Sequence, residues 1–304
     1  MPAAWSFRAA TRADFEPLLD LRLRVMRPAL ERIGRFDPDR ARQYFGEGFD
    51  LNWMRVILVE DALAGCVCFR REDEHWVIEY FYLEPRFHRT GLGGAILRGL
   101  LAEADRSGRV VRLEVVKGSE SAHLYERHGF ARYGEGEWDF YYERPLPPPF
   151  ERVCALLDAA GATYRIIEHE PEGRSERISV IRGNRPEQAA KAMVLDVRGG
   201  GGGRRHVLAI LPGSRKLDFN AVAALFGARK CGFASPETAQ AITGCIMGAV
   251  PPFALHDSLS VAVDEGLLAN QTLFFNAGRL DRSMELDTAE WLRVVAPKIA
   301  RIAG

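Results

Sequence analysis

Apolar positions recur along this chain with two periods, and the switches between them mark out its elements. Alternation near residues 6–10 predicts a strand. Thr11 then stands where a helix N-cap belongs, ahead of Phe15, Leu18, Leu19 and Val25 at helical spacing. Residues 55–60 and 65–70 read as a hairpin, and residues 75–83 as a central strand that Pro85 ends. Residues 94–106 carry Ile96, Leu97, Leu100 and Leu101 on one helical face. Residues 110–116 follow as a strand, 119–128 as a helix, and 137–143 as a strand with alternating aromatics. The run Pro145-Leu146-Pro147-Pro148-Pro149 removes backbone donors and fixes φ, which predicts a stiff connector. Beyond it, residues 150–160 read as a helix stopped by Gly161, 164–169 as a strand and 175–182 as a helix. Residues 189–197 and 206–212 read as neighbouring strands, joined by a mobile glycine loop at 199–203. Helices are expected at 219–226, 236–243 and 288–302, and strands near 260–264 and 272–276.

The fold class is therefore α/β (α+β). Domains are expected at residues 1–146 and 150–304, with 147–149 as linker. A length of 304 residues suits two hydrophobic cores better than one. The 41 basic and 41 acidic residues cancel, and neither half has a marked excess of one sign, which excludes a bulk polyanion binder such as a DNA-coating protein. The apolar runs are of strand length, so no membrane span is expected, and the first residues lack a secretory pattern. Five cysteines without a CxxC pair fit reduced thiols in a cytoplasm and no metal site. Cys66 and Cys68 share one strand face.

The most informative stretch is residues 79–98. Strand, glycine turn and helix start follow one another, with Gly91, Gly93 and Gly94 in the turn. Glycines let backbone approach a pyrophosphate, and the free amides and dipole of a helix N-terminus favour the anion. The segment His88-Arg89-Thr90-Gly91-Leu92-Gly93 resembles the acetyl-CoA motif of the GNAT acetyltransferases, Arg/Gln-x-x-Gly-x-Gly/Ala. His88 stands where Arg or Gln is usual. Downstream, Leu124-Tyr125-Glu126-Arg127-His128-Gly129-Phe130 is similar to that family's Leu-Tyr-x-x-x-Gly-Phe signature, with Gly118 in place of the usual Asn.

In the second half five segments stand in a telling order: Lys191-Ala192-Met193-Val194-Leu195, Ala209-Ile210-Leu211-Pro212-Gly213, Ala234-Ser235-Pro236-Glu237, Gly248-Ala249-Val250-Pro251-Pro252-Phe253 and Phe275-Asn276-Ala277-Gly278-Arg279. Together they resemble the YbaK/prolyl-tRNA-synthetase-associated domain, a family of aminoacyl-tRNA deacylases.

The two resemblances imply a GNAT fold with a mixed central sheet flanked by helices, followed by a YbaK-like mixed sheet or barrel with surrounding helices. They imply a deacylase of mischarged tRNA fused to an acetyl-CoA-dependent N-acetyltransferase. The alternative is an acetyltransferase whose second half only binds tRNA or a synthetase. Acetyl-CoA is the implied cofactor, held by Leu83, His88, Arg89, Thr90, Gly91, Leu92, Gly93 and Gly94. Tyr125 is the implied acid for the departing thiolate. Glu79 is a candidate base, because it shares a strand face with Val77 and Phe81 and burial of an unused carboxylate is costly. The acceptor amine is not readable. Aminoacyl-tRNA is the implied partner, with a synthetase as a second candidate.

An aminoacyl ester is already activated, so its hydrolysis needs a positioned water and a stabilised oxyanion. Lys191 and the loop Gly248, Pro251, Pro252 are the implied catalytic elements, with Ala249, Val250, His256 and Asn276 as substrate contacts. Arg182, Arg185, Arg204, Arg205, Arg215, Lys216, Arg229 and Lys230 are available for tRNA phosphates.

Overall fold

A computed structural model describes residues 4–200 and 203–304. The chain divides after Leu146 into two compact units, with the short stretch Arg106–Gly108 grouped with the second.

In the first unit the elements run β1 (Trp5–Ala9), α1 (Phe15–Arg32), α2 (Pro38–Glu47), β2 (Met54–Val59), β3 (Ala62–Arg71), β4 (His75–Leu83), α3 (Leu92–Ser107), β5 (Val110–Val116), α4 (Ala122–Glu126), β6 (Ala131–Glu135) and β7 (Asp139–Arg144). Among the described residues the seven strands form one sheet in the order β1-β2-β3-β4-β5-β7-β6. Only the β4–β5 pair is parallel. Alternation along β3 sends Cys66 and Cys68 into the core under α1 and α2, and Val67 and Phe69 into the core under α3.

β4 breaks that alternation. Ile78 packs beneath α3, and so does Phe81, three residues on, while Tyr80 and Tyr82 face the other core. The ladder shows the extra residue directly: Cys68 pairs with Glu79 but Cys66 pairs with Tyr82. Tyr80 takes φ +50° at this bulge. Phe81 therefore lies opposite to Glu79, which corrects the expected shared face. The bulge also parts β4 from β5, whose pairing ends at Ile78 and Leu113.

The second unit runs α5 (Pro149–Ala159), β8 (Tyr164–Glu168), α6 (Ser175–Arg182), β9 (Ala190–Arg198), β10 (Arg204–Pro212), α7 (Phe219–Leu225), β11 (Lys230–Phe233), α8 (Pro236–Thr243), β12 (Leu259–Asp264), β13 (Thr272–Asn276), β14 (Arg282–Asp287), α9 (Thr288–Val295) and β15 (Lys298–Ala300). A mixed sheet in the order β11-β9-β10-β12-β15 and an antiparallel sheet in the order β13-β14-β8 meet at the Ala189–Phe274 bridge. β10 is buried on both faces. Leu208 and Ile210 enter the core with Phe275 and Trp291, while Val207 and Ala209 pack beneath α7.

Two expectations are corrected here. Pro149 opens α5 rather than extending the connector, since a first-turn proline loses no intrahelical hydrogen bond. The long C-terminal helix stops at Val295. Pro297 disfavours helical backbone at Ala296, which takes φ +45°, and residues 298–300 pair in parallel with β12 instead. The expected glycine loop at 199–203 falls partly on residues 201–202, which lie outside the described residues.

Candidate functional sites

In the second unit a cavity of about 610 Å³ is lined by α6, the start of β9, α8 and the segment after it, and the end of β13. Lys191 and Gly248 both line it, together with Val250 and Asn276. The loop around Gly248 is tightly determined. Gly248 has φ +85°, and a Cβ there would stand 2.8 Å from the Gly173 Cα. Only glycine meets both conditions. Asn276 holds the loop from behind. Its Nδ2 donates to the Gly248 carbonyl at 2.8 Å and to the Glu172 carbonyl at 3.0 Å. Among the described residues the amides of Gly248 and Val250 have no protein acceptor, so they are free to meet a developing oxyanion.

Several expected contacts fall elsewhere. Pro251 and Pro252 are buried outside the lining, and the Pro252 carbonyl accepts from the Trp291 indole at 3.0 Å. They stiffen the loop from the core side and do not face a substrate. Ala249 is fully buried in the core, because its carbonyl and amide tie the loop to Gly278 and Ile246. His256 also lies outside the lining, with Nδ1 bonded to the Ser258 hydroxyl at 2.8 Å.

Among the described lining residues the charged ones are Lys191 and Arg182, both cations. Arg182 had only been grouped with cations for tRNA phosphates. It closes the face of α6 that carries Ser175 and Ile178, and burial lowers its pKa to about 10. The lining also contains Cys245, whose thiol burial pushes up to about 11, far from a thiolate at neutral pH. The rim is apolar and exposed: Phe233, Ile246 and Met247 all face solvent. Of the other candidate tRNA cations, Arg185, Lys216, Arg229 and Lys230 are exposed. Arg204 pairs with Asp196 at 3.0 Å, Arg215 reaches Asp264 at 3.7 Å, and Arg205 donates to the Phe226 carbonyl.

In the first unit the parted ends of β4 and β5 open a cleft of about 690 Å³, lined by Glu79–Tyr82 on one side and Leu113–Val116 on the other. The glycine turn follows β4. Gly91 has φ +87° and α3 begins one residue later. Among the described residues the amides of Arg89, Thr90, Gly91, Gly93 and Gly94 have no protein acceptor. These free donors fit the phosphates of a nucleotide-bearing cofactor. His88 Nε2 donates to the Leu83 carbonyl at 2.9 Å, pinning the turn to the strand end. Arg89 is exposed and pairs with Glu120 at 3.3 Å. The Leu92 side chain is buried beneath the sheet and its amide meets Thr90 Oγ1, while the Leu83 side chain packs on the same core.

Tyr125 lines the cleft from α4, packed edge-on against Phe130. Burial raises its pKa, which keeps the phenol protonated at neutral pH, and among the described residues its hydroxyl has no protein partner. Glu79 is half-buried and pairs with Arg70 at 3.2 Å, a guanidinium it shares with Glu72. Glu114 and Asp139, which the sequence did not single out, line the cleft as well. Partial burial raises both pKa values, and mutual repulsion adds to the rise at Glu114. Among the described residues no group of three His, Cys, Asp or Glu side chains is placed to hold a metal ion, and no helix is long and apolar enough to cross a membrane.

Comparison with known proteins matches both halves of the chain to families. The aminoacyl-tRNA editing domain family matches residues 169–294, and the acetyltransferase (GNAT) family matches residues 17–130. The Multifunctional Ser/Thr-tRNA deacylase ProXp-y of Escherichia coli (strain K12) is 40% identical over 150 residues, covering 49% of this chain and 89% of that protein. The Prolyl-tRNA editing protein ProX of Acetoanaerobium sticklandii is 28% identical over 115 residues, covering 38% of this chain and 68% of that protein. Among solved structures, the PaiA N-acetyltransferase of Thermoplasma acidophilum in complex with coenzyme A has a TM-score of 0.41 at 16% identity, covering 47% of this chain and 99% of that one. This chain belongs to the aminoacyl-tRNA editing family through its C-terminal half, and its N-terminal half is a GNAT-family acetyltransferase domain.

Proposed function

We propose that residues 150–304 hydrolyse the ester of a mischarged aminoacyl-tRNA in the cavity shared by Lys191 and Gly248, and that residues 1–146 transfer acetyl from acetyl-CoA to an amine. The observation that carries the first reading is the convergence of a cation and two free loop amides on one apolar cavity. Water adds to the ester carbonyl. The oxyanion that forms is met by the Gly248 and Val250 amides under the Lys191 charge. On collapse the bond to the ribose oxygen breaks, and that oxygen takes up the proton which the water gives up. The terminal adenine packs on the exposed rim of Phe233, Ile246 and Met247. The thiol of Cys245 takes no part.

Acetyl-CoA supplies the activated acyl group of the second reaction when bound. The amides of Arg89–Gly94 hold its phosphates, and the parted ends of β4 and β5 receive its acyl end. A carboxylate of the Glu114–Asp139 pair takes the proton of the attacking amine, and the Tyr125 phenol gives one to the departing thiolate.

The test is a deacylation screen over a panel of mischarged tRNAs, with Lys191→Ala as control. Loss of at least about a hundredfold in kcat/KM on the variant is expected. A wild-type protein that hydrolyses none of the panel overturns the reading. Binding of acetyl-CoA measured by calorimetry tests the N-terminal half separately.

A further inference from the structure

We infer that the acetyl acceptor of the first unit is a free amino acid, whose carboxylate is bound by Arg22 while its amine turns toward Glu114 and Asp139. The inference rests on the acetyltransferase reading above.

Arg22 stands on α1. Its side chain is buried, yet it lines the cleft where β4 and β5 part. Its surroundings are aromatic. Nη1 donates to the Tyr82 hydroxyl at 2.6 Å, and the guanidinium carbon lies 5.3 Å from the ring centre of Tyr44 and 5.9 Å from those of Tyr80 and Tyr82. Ring faces attract a cation but take none of its in-plane N–H groups. Among the described residues Arg22 forms no ion pair, and its Nη2 has no protein acceptor and is not shut off from solvent. The arginines on the neighbouring strands are different. Arg70 pairs with Glu72 and Glu79, and Arg112 pairs with Glu143 at 2.8 Å. A buried charge without its anion is costly. Here the anion comes with the substrate.

The rest of the cleft requires that this anion be carried by an amine. Glu114 and Asp139 line the same space. Tyr44 lies within reach of both sets of charges: burial raises its pKa, Glu79, Glu114 and Asp139 add to the rise, and Arg22 opposes it. A cation on one side and carboxylates on the other suit a zwitterion. A simple amine leaves Arg22 unpaired, and an anion without an amine meets only repulsion from the carboxylates. An ester or amide of an amino acid has lost the negative charge. A charged tRNA is thereby excluded as acceptor, whereas the amino acid that deacylation releases has the right groups. In the reaction the ammonium first gives one proton to solvent. The amine then attacks the thioester, and the C–N bond forms as the C–S bond breaks. The Glu114–Asp139 pair takes the second proton and Tyr125 supplies one to the thiolate, leaving an N-acetyl amino acid and free coenzyme A.

The test offers acetyl-CoA with each of the common amino acids, and with the primary amide of each. Wild type is expected to favour the acid over its amide by about 10- to 100-fold in kcat/KM, the range set by one charge-assisted hydrogen bond. Arg22→Met is expected to bring that ratio close to one, mainly through KM of the acid, and Arg22→Lys to retain part of it. The same preference is expected without acetyl-CoA, in calorimetric binding of the N-acetyl acid against the N-acetyl amide. Wild type that acetylates acid and amide alike overturns the assignment without any variant. So does a protein that binds acetyl-CoA and acetylates none of the acids, and in both cases the acetyltransferase reading is left standing. A folded Arg22→Met that keeps the full preference also overturns it. Failure to bind acetyl-CoA would instead remove the acetyltransferase reading and the inference with it.

Discussion

Asn276 Nδ2 donates to the Gly248 carbonyl at 2.8 Å, tying the end of a core strand to the loop that lines the cavity. Nothing in this bond touches substrate, yet it sets where the Gly248 and Val250 amides point. Asn276→Ala leaves two carbonyls and the Ser283 hydroxyl without their partner. The expected cost is about 1–3 kcal/mol of stability and a fall in deacylation kcat of on the order of tenfold or more with KM little changed. Single-turnover deacylation alongside thermal unfolding separates the two effects.

Gly248 itself carries a different prediction. Its φ of +85° disfavours any side chain, and the Gly173 backbone occupies the space a Cβ would need. Gly248→Ala is expected to destabilise the second unit by roughly 2 kcal/mol or more, because backbone strain and a backbone clash add. The loop amides shift with it. Deacylation is expected to be lost at temperatures where circular dichroism still shows a folded chain. Full activity in a folded Gly248→Ala protein would mean that the loop geometry does not matter.

In the cleft between β4 and β5, function and stability are expected to oppose each other. The Glu114 and Asp139 carboxyls have pKa values raised in the folded chain by partial burial, with like-charge repulsion adding at Glu114. Folding therefore favours their protonated forms. This contribution to stability is fully present below the ordinary carboxylate range and is lost as pH rises through the raised folded values. Glu114→Gln is expected to raise the melting temperature at pH 8 and leave it nearly unchanged at pH 4. The same change is expected to lower acetyl transfer at pH 8. If Tyr125 gives the proton to the thiolate as proposed, Tyr125→Phe is expected to cut kcat by about 10²–10⁴-fold with acetyl-CoA affinity retained.

Much of this arrangement is legible in the sequence, and the rest is hidden for physical reasons. The alternating and continuous apolar runs locate β3, β9 and β10 because burial on one or two faces leaves a direct record in residue type. The bulge at Tyr80 leaves none. Glu79–Leu83 reads as an unbroken apolar strand, and the reversal of faces depends on one backbone angle. Pro149 and Pro297 did carry signals, one as a helix opener and one as a helix stop. Arg182, Asn276 and Ser283 meet only because α6, β13 and β14 converge in space, and no spacing along the chain announces that. Lys191 and Gly248 were found through family pattern rather than through periodicity.

Cys245 offers a direct test of how the ester is cleaved. Its thiol lines the cavity next to the Gly248 loop, where a cysteine nucleophile would be well placed. Burial raises its pKa to about 11, so at neutral pH it is a thiol, and its Sγ contacts the Thr243 carbonyl at 3.5 Å. No histidine lines the cavity among the described residues, so a base to activate the thiol is missing. Cys245→Ala removes one buried sulfur and is expected to cost about 1 kcal/mol of stability. Deacylation is expected to stay within about threefold of wild type, because in the proposed reaction backbone amides meet the oxyanion and water attacks. Trapping of an acyl-enzyme thioester by rapid acid quench, or a hundredfold loss in a folded Cys245→Ala protein, would instead place a covalent step in the reaction.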